Sequence, residues 1–385
     1  MNIYYWCPFL SHVATIKAVL NSAISIKKYS KNSINPFIIN AVGEWDEYKN
    51  DIFKEKIGLI NFSNSNNLYK KLPRHSYIKS RISYLIIFFK TILKLYNFLN
   101  NLGKRDVFII HLISSLPLFL ILIFNFKCKI ILRISGYPKL NLLRKFFWRL
   151  CKRKIYYVFC PTEDTKKNLL KEKIFKEEFY KVLKDTILDV RNINKLKNEI
   201  MDLNFTDKEY IINIGRLTKQ KNQKLLIEGF NEIAKIYPKL NLVILGEGEM
   251  KDMLIKLAKE RKIDQKVFFL GHVDNVYKYL KKSKLFILSS KWEDPGFVLI
   301  EAAFLRKQIV SSDCPNGPRE ILLNGEGGYL FKNNQLDDFI KKVNECLKDN
   351  ETKIFYKKLN SLKNIREYTR FRHFVSLNKF LNQIC

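Results

Sequence analysis

The feature that most constrains this fold is a repeated alternation of short, continuously apolar runs with longer stretches of helical character. In the first half the short runs are NIYYWC, PFIINAV, IGLINF, DVFIIHL, KIILRIS and YYVFCPT. In the second half they are YIINIG, NLVILGEG, KVFFLGHV, KLFILSS and QIVSSD. Helical stretches such as 14–29 and 77–100 lie between them. A strand that is apolar along its whole length is covered on both faces. Strands of that kind separated by helices predict parallel sheets with helices packed on each side.

A chain of 385 residues exceeds what one core ordinarily holds, so two such domains are expected. The charged, strand-poor stretch KKNLLKEKIFKEEFYKVLKDTILDVRNINKLKNEI places the boundary near 185–204. The expected organisation is α/β, with two doubly wound, Rossmann-like domains facing a cleft. The first covers 1–188 and the second 189–366, and a closing helix over 367–385 packs back on the first. In such sheets ligands gather at the carboxyl ends of the strands.

The composition, 47% hydrophobic with only 14 Gly and 10 Pro, is that of a packed protein. The formal net charge of +32 favours anionic partners such as nucleotides, phospholipid surfaces or nucleic acid. Abundant lysine explains much of it equally well. The charge is read as spread along the chain, with no basic tail or arm, which argues against nucleic acid. Seven scattered cysteines without a Cys-x-x-Cys pair suggest neither a zinc site nor a disulfide framework. Reduced thiols and a cytoplasmic location fit this pattern. Met1 runs directly into a strand, so no secretory leader is expected. The apolar stretch SSLPLFLILIFNF (114–126) is shorter than the roughly 20 residues a spanning helix needs, and a buried helix is expected there.

Four segments of the chain carry candidate chemistry. In NIGRLTKQKNQKLL a strand ends at Gly215, Arg216, Lys219 and Lys221 follow in a loop, and a helix starts near Asn222. Cations and helix amides at one strand end suit an anion such as a diphosphate, although a solvated basic loop has the same spacing. In VILGEGEMKDML a strand leads through Gly246 into a helix, which allows close backbone approach to a ligand. In KLFILSSKWEDPGFVLIEAAF, Glu293 lies in a loop, Pro295 and Gly296 break the backbone, and a helix starts near Phe297 with Glu301 one turn in. Free amides of Gly296, Phe297 and Val298 would suit a phosphate. Glu301 can accept two hydroxyl hydrogen bonds, as a ribose offers, or can simply complement the helix dipole. In SSDCPNGPREIL, Pro315, Gly317 and Pro318 shape a positioned loop before a short helix.

Taken in order, these segments resemble the retaining glycosyltransferases of family 4, which have the GT-B fold. The resemblance is strongest over 208–331. It implies that Arg216 and Lys221 hold the donor diphosphate, that Glu301 binds the ribose hydroxyls and that Glu293 lies near the donor sugar. Gly215, Gly246, Gly296, Phe297 and Val298 would complete the donor site. The carboxyl-terminal domain would then bind the nucleotide sugar and the amino-terminal domain the acceptor. The resemblance implies a UDP- or GDP-sugar donor, a glycan or lipid-linked acceptor, and no cofactor or metal. The sequence contains no Asp-x-Asp with which to hold a cation.

Three departures from the family pattern stand out. The turn after the first strand carries Ser11 and His12 in place of a Gly-Gly loop. The family's amino-domain histidine aligns with Ser135, which leaves His111 as a nearby candidate, although a core histidine at a strand end is commoner. Arg306 and Lys307 replace a glycine after Glu301. The long helix region RISYLIIFFKTILKLYNFLNNLGKR (81–105) mixes Lys and Arg with aromatic and aliphatic residues. It suits either a domain core with snorkelling lysines or an anionic bilayer, so a peripheral place on the cytoplasmic face of a membrane is open. A sugar-nucleotide epimerase of the same fold and a basic nucleic-acid-binding protein are the alternative functions.

Overall fold

The structure is a computed structural model that describes residues 1–10, 14–63, 68–73, 77–135, 140–200 and 208–384. The chain divides into two units, Met1–Ile187 with Arg370–Cys385, and Leu188–Thr369. The first contains strands β1 (Asn2–Trp6), β2 (Asn35–Asn40), β3 (Gly58–Asn61), β4 (Val107–Ile110), β5 (Lys129–Arg133), β6 (Tyr157–Cys160) and β7 (Tyr180–Val182). The second contains β8 (Tyr210–Ile214), β9 (Asn241–Leu245), β10 (Val267–Gly271), β11 (Leu285–Leu288), β12 (Gln308–Ser312) and β13 (Tyr329–Phe331).

The first unit forms one sheet in the order β3-β2-β1-β4-β5-β6-β7, and the second a sheet in the order β10-β9-β8-β11-β12-β13. The pairings are parallel throughout. Both units are thus Rossmann-like and doubly wound, as the alternation predicts. The strand order reverses between β1 and β4 in one sheet and between β8 and β11 in the other, which are the topological switch points of such sheets. Two edge strands, β7 and β13, escaped the sequence pattern. Each has three residues, too few to form an apolar run, and Lys181 interrupts β7.

Every residue of β4, β8 and β11 is buried, which explains their unbroken apolar runs. Asn213 in β8 is the polar exception, and its side chain donates to the Ile287 carbonyl of β11 at 2.8 Å. The first core gathers Trp6, Trp45, Phe108 and Phe159, and the second Phe230, Phe331 and Phe339.

The chain leaves the first unit after Ile187 and returns at Arg370. The Leu188 amide donates to the Tyr368 carbonyl at 3.1 Å, which ties residues up to Thr369 to the second unit. The helix Arg370–Leu381 packs on the helix Ala14–Tyr29. His373 fixes it there, bonding to Ser22 Oγ and the Lys184 carbonyl, each at 2.7 Å. A carbonyl only accepts, so Nδ1 carries the proton and Nε2 accepts from Ser22. Burial holds this imidazole's pKa down to about 4.

The stretch 114–126 folds as the helix Ser115–Ile123, with Leu116, Leu118, Leu120 and Ile121 buried. The helix Tyr77–Asn100 docks through a stripe of Ser83, Ile87, Thr91, Leu95 and Leu99. Its spacing of four residues is one helical face.

Candidate active site

The second sheet places the donor-site candidates after the carboxyl ends of β8, β9 and β11. After β8 the Gly215 amide donates to Leu245 O at 2.9 Å and the Leu217 amide to Glu247 O at 2.9 Å, which lays the loop against the end of β9. Gly246, at φ +134°, is required by that packing, because a Cβ there would lie 2.1 Å from the Gly215 carbonyl oxygen. Its glycine therefore needs no ligand to account for it, a different reason from the one expected. The loop then turns at Thr218, which accepts from the Lys221 amide at 3.1 Å. Left-handed Asn222 caps the helix Gln223–Ile236. Arg216 is exposed and its side chain has no hydrogen bond or ion pair among the described residues.

Lys221 reaches across to the loop after β11. Its Nζ lies 2.6 Å from Glu293 Oε1, and the same oxygen accepts from Ser290 Oγ at 2.5 Å. Backbone ties hold the two loops together. The Lys221 carbonyl accepts from Ser289 Oγ at 2.8 Å, and the Lys291 amide donates to the Gln220 carbonyl at 2.8 Å. Gly215 and Gly296 lie against this pair. A Cβ on the first would meet Lys221 Cε at 3.4 Å, and one on the second Glu293 Cγ at 3.5 Å. Gly215, Lys221, Glu293 and Gly296 thus form one constellation.

The Asp294–Pro295 peptide is cis, and Gly296, at φ +99°, caps the helix Phe297–Phe304. The first amides of a helix have no carbonyl of their own to reach, so those of Phe297 and Val298 are available to an anion. The loop after β12 closes on the same segment. The Glu293 amide donates to the Pro315 carbonyl at 3.0 Å. Gly317, at φ +127°, sits where a Cβ would fall 1.9 Å from the Pro295 carbonyl oxygen. The neighbouring Cys314 thiol is pushed up to about 12 by burial, reinforced by the charge of Glu293. Asn316 in this loop is fully buried with neither side-chain amide atom bonded among the described residues.

Glu301 is buried within the same helix, and its Oε1 accepts from Tyr277 Oη at 2.8 Å. Burial and the Glu301 charge both raise the Tyr277 phenol. Tyr277 and Ser290 escaped the sequence reading, because each lies among residues with no distinctive spacing. The one available signal for Tyr277 was Asn275, which caps the helix Val276–Lys282 and accepts from the Tyr277 amide at 3.0 Å.

Of the amino-domain candidates, His12 lies outside the described residues. His111 and Ser135 follow β4 and β5 and meet, Nδ1 to Oγ, at 3.2 Å. Burial, aided by Arg133 and His373, keeps the His111 imidazole well below its ordinary pKa, so it is neutral at pH 7.

Residues 197–370 match the family described as Glycosyl transferases group 1. A 197-residue stretch, 48% of this chain, is 34% identical to 46% of an uncharacterized glycosyltransferase of Methanocaldococcus jannaschii. Another of 170 residues, 44% of this chain, is 35% identical to 45% of a Campylobacter jejuni protein. That relative is named as the N-acetylgalactosamine-N,N'-diacetylbacillosaminyl-diphospho-undecaprenol 4-alpha-N-acetylgalactosaminyltransferase. The matched stretch of this chain thus spans about half the length of these curated relatives. Over 100% of both chains the fold matches the crystal structure of Anabaena HepE in complex with UDP, with a TM-score of 0.74 and 15% identity. The overall fold is therefore of the GT-B type. The Lys221–Glu293 constellation and the Tyr277–Glu301 pair both lie inside residues 197–370, the segment that matches the Glycosyl transferases group 1 family.

Proposed function

We propose that this chain is a retaining glycosyltransferase. It moves a sugar from a nucleotide-diphosphate donor to a hydroxyl of a glycan or lipid-linked acceptor, in the building of cell-surface polysaccharide or lipopolysaccharide. The observation that carries the reading is the Lys221–Glu293 pair beside the amide-rich start of the helix Phe297–Phe304, within the matched family segment. UDP is the favoured nucleotide, supported by the HepE complex, and an undecaprenol-diphosphate-linked acceptor is supported by the name of the Campylobacter relative.

Breaking the sugar–phosphate bond sends its electron pair to the diphosphate oxygen. Arg216, Lys221 and the amides of Phe297 and Val298 stabilise the charge that develops there. This is work a metal ion does in other transferases, and the reading is of a metal-independent enzyme. The acceptor hydroxyl bonds to the anomeric carbon on the face the diphosphate leaves, and its proton passes to the departing phosphate oxygen. Glu293 orients Lys221 and lies near the sugar, while Glu301, held by Tyr277, takes the ribose hydroxyls. The reaction is assigned to the cytoplasmic face of a membrane.

The test supplies UDP-sugars and a polyprenyl-diphosphate-linked saccharide, with and without EDTA. Mass spectrometry reads the gain of one sugar, and proton NMR reads the new anomeric centre. Transfer with the donor's anomeric configuration and unchanged by EDTA is expected. Inversion would overturn retention, and loss with EDTA would overturn metal independence. An epimerised sugar without transfer would replace the reading by an epimerase.

A further inference from the structure

The charge of this chain is not spread evenly, contrary to the expectation from sequence. Residues 77–154 hold sixteen Lys or Arg and a single acid, Asp106. Asp106 is spent inside the first unit, where it accepts from Asn2 Nδ2 at 3.1 Å and from the Gly103 amide at 2.9 Å. The helices Tyr77–Asn100, Ser115–Ile123 and Leu142–Cys151, which this stretch contributes, therefore carry no acid at all.

These three helices lie side by side. Phe88 of the first and Phe119 of the second stack edge to face at 5.5 Å, and Tyr96 meets Phe124, just past the end of the second, at 4.6 Å. Cys151 of the third donates to the Leu118 carbonyl at 3.5 Å. Lys154, just beyond it, binds the carbonyls of Leu122 and Phe124 at 3.3 and 3.2 Å. The assembly leaves large apolar side chains in the open. Leu85, Phe89 and Leu93 are 58, 72 and 74% exposed on the first helix. On the third, Leu142, Leu143 and Phe146 are 84, 76 and 58% exposed. The cations Lys90, Arg144 and Arg149 are interleaved with them and exposed as well.

The segment Lys79–Asn100 is long and apolar enough to cross a bilayer. Its docked stripe argues against crossing. Ser83 donates to the Pro73 carbonyl at 2.7 Å, Lys94 binds the Phe62 carbonyl, and Ile87, Leu95 and Leu99 are fully buried in the first core. The helix is held along one face by its own domain and offers the other outward. Exposed aromatic and aliphatic side chains among cations, without acids, match the boundary of an anionic bilayer. There the apolar groups enter the acyl region while the cations meet lipid phosphates. A protein partner would not need this complete exclusion of acids.

We propose that the outer surface of these three helices is a membrane-docking face that lies in the plane of an anionic bilayer. Its purpose rests on the glycosyltransferase reading, since it would hold the domain beside a lipid-linked acceptor, but lipid binding is measured without transfer. The experiment is co-sedimentation of the full chain with vesicles of phosphatidylcholine alone and with about 30% phosphatidylglycerol. It compares wild type with the triple variant Phe89→Ser, Leu93→Ser, Phe146→Ser and with the double variant Lys90→Glu, Arg149→Glu. Wild type is expected to bind the anionic vesicles at least about tenfold more tightly than neutral ones. Either variant should weaken that binding about tenfold or more. Absence of binding by wild type, or equal binding by the variants, would overturn the proposal. So would a wild-type dimer, seen by analytical ultracentrifugation without lipid, that the triple variant abolishes while vesicle binding persists. A UDP-induced thermal shift retained in the triple variant shows that it is folded and keeps failure of docking separate from failure of the donor site.

Discussion

Lys221 Nζ and Glu293 Oε1 lie 2.6 Å apart, linking the loop after β8 to the loop after β11. The Lys221 side chain is 18% exposed and that of Glu293 only 4%. A carboxylate this buried depends on its cation and on Ser290 for charge compensation. The pair is thus a structural tie between two loops before any ligand arrives. A donor diphosphate would add a second anion to the same lysine.

Removing one partner should therefore cost more than removing both. Lys221→Met is expected to destabilise the fold by about 3 kcal/mol, because it strands a buried carboxylate. Adding Glu293→Gln should recover part of that loss. Denaturant melts of the four proteins give the coupling, expected above about 1 kcal/mol. Additive effects would mean that the pair contributes nothing beyond its separate members.

Tyr277→Phe tests the support of Glu301. Burial leaves the carboxylate little access to water in exchange for the lost phenol hydrogen bond. A stability loss of about 1–2 kcal/mol is expected. If Glu301 receives ribose hydroxyls, the variant should also raise the KM for the nucleotide sugar with little change in kcat. An unchanged KM with lowered stability would make Tyr277 purely structural.

Arg306 has φ +55°, the left-handed backbone that follows a helix end, and the Lys307 amide closes that end on the Ala302 carbonyl at 3.0 Å. Glycine adopts this conformation freely and arginine does not. Arg306→Gly is expected to leave the melting temperature unchanged or raise it, by up to about 1 kcal/mol of stability. A clear drop would show that the arginine side chain contributes more than its backbone costs.

His373 makes stability depend on pH in a definite direction. Its folded pKa of about 4 lies below the ordinary 6.5, so between these values the unfolded chain takes up a proton that the folded one refuses. The stabilisation is complete above pH 6.5 and is lost as pH falls toward 4. His111, also lowered, adds to the same slope. Amide hydrogen exchange in the helix Arg370–Leu381 should accelerate between pH 6.5 and 4.5 relative to the intrinsic rate. His373→Gln should flatten part of the stability slope. Constant protection across that range would contradict the assignment.

Much of this architecture was legible because a parallel strand covered by helices is required to be mostly apolar, even where it admits a polar residue such as Asn213 or is only partly buried like β3. That requirement marked the strands of both sheets except β7 and β13, whose three residues cannot carry such a signal. The candidate-site loops were legible because Gly296 and Gly317 adopt backbone that few other residues tolerate, and because cations follow a strand end at Arg216 and Lys221. The Lys221–Glu293 contact was not legible, since 72 residues separate its members and only sheet order brings them together. Tyr277 was hidden because no distinctive spacing marks it, although only 24 residues separate it from Glu301. The excess of cations over 77–154, with Asp106 as its one acid, was present in the sequence, but its meaning depends on which side chains the fold leaves exposed. Arg306 departs from the family glycine, and its positive φ places it in backbone that glycine adopts more freely.

The most direct measurement is a thermal-shift panel of UDP, GDP, ADP and their sugar conjugates on the wild-type chain and on Glu301→Ala. A ligand that binds the folded state raises the melting temperature in proportion to ln(1 + [L]/Kd). The account predicts a shift with one nucleotide, UDP, and with its sugar conjugates, and loss of that shift in Glu301→Ala. No shift with any nucleotide, or a shift fully retained by Glu301→Ala, would contradict the donor site described at the ends of β8 and β11.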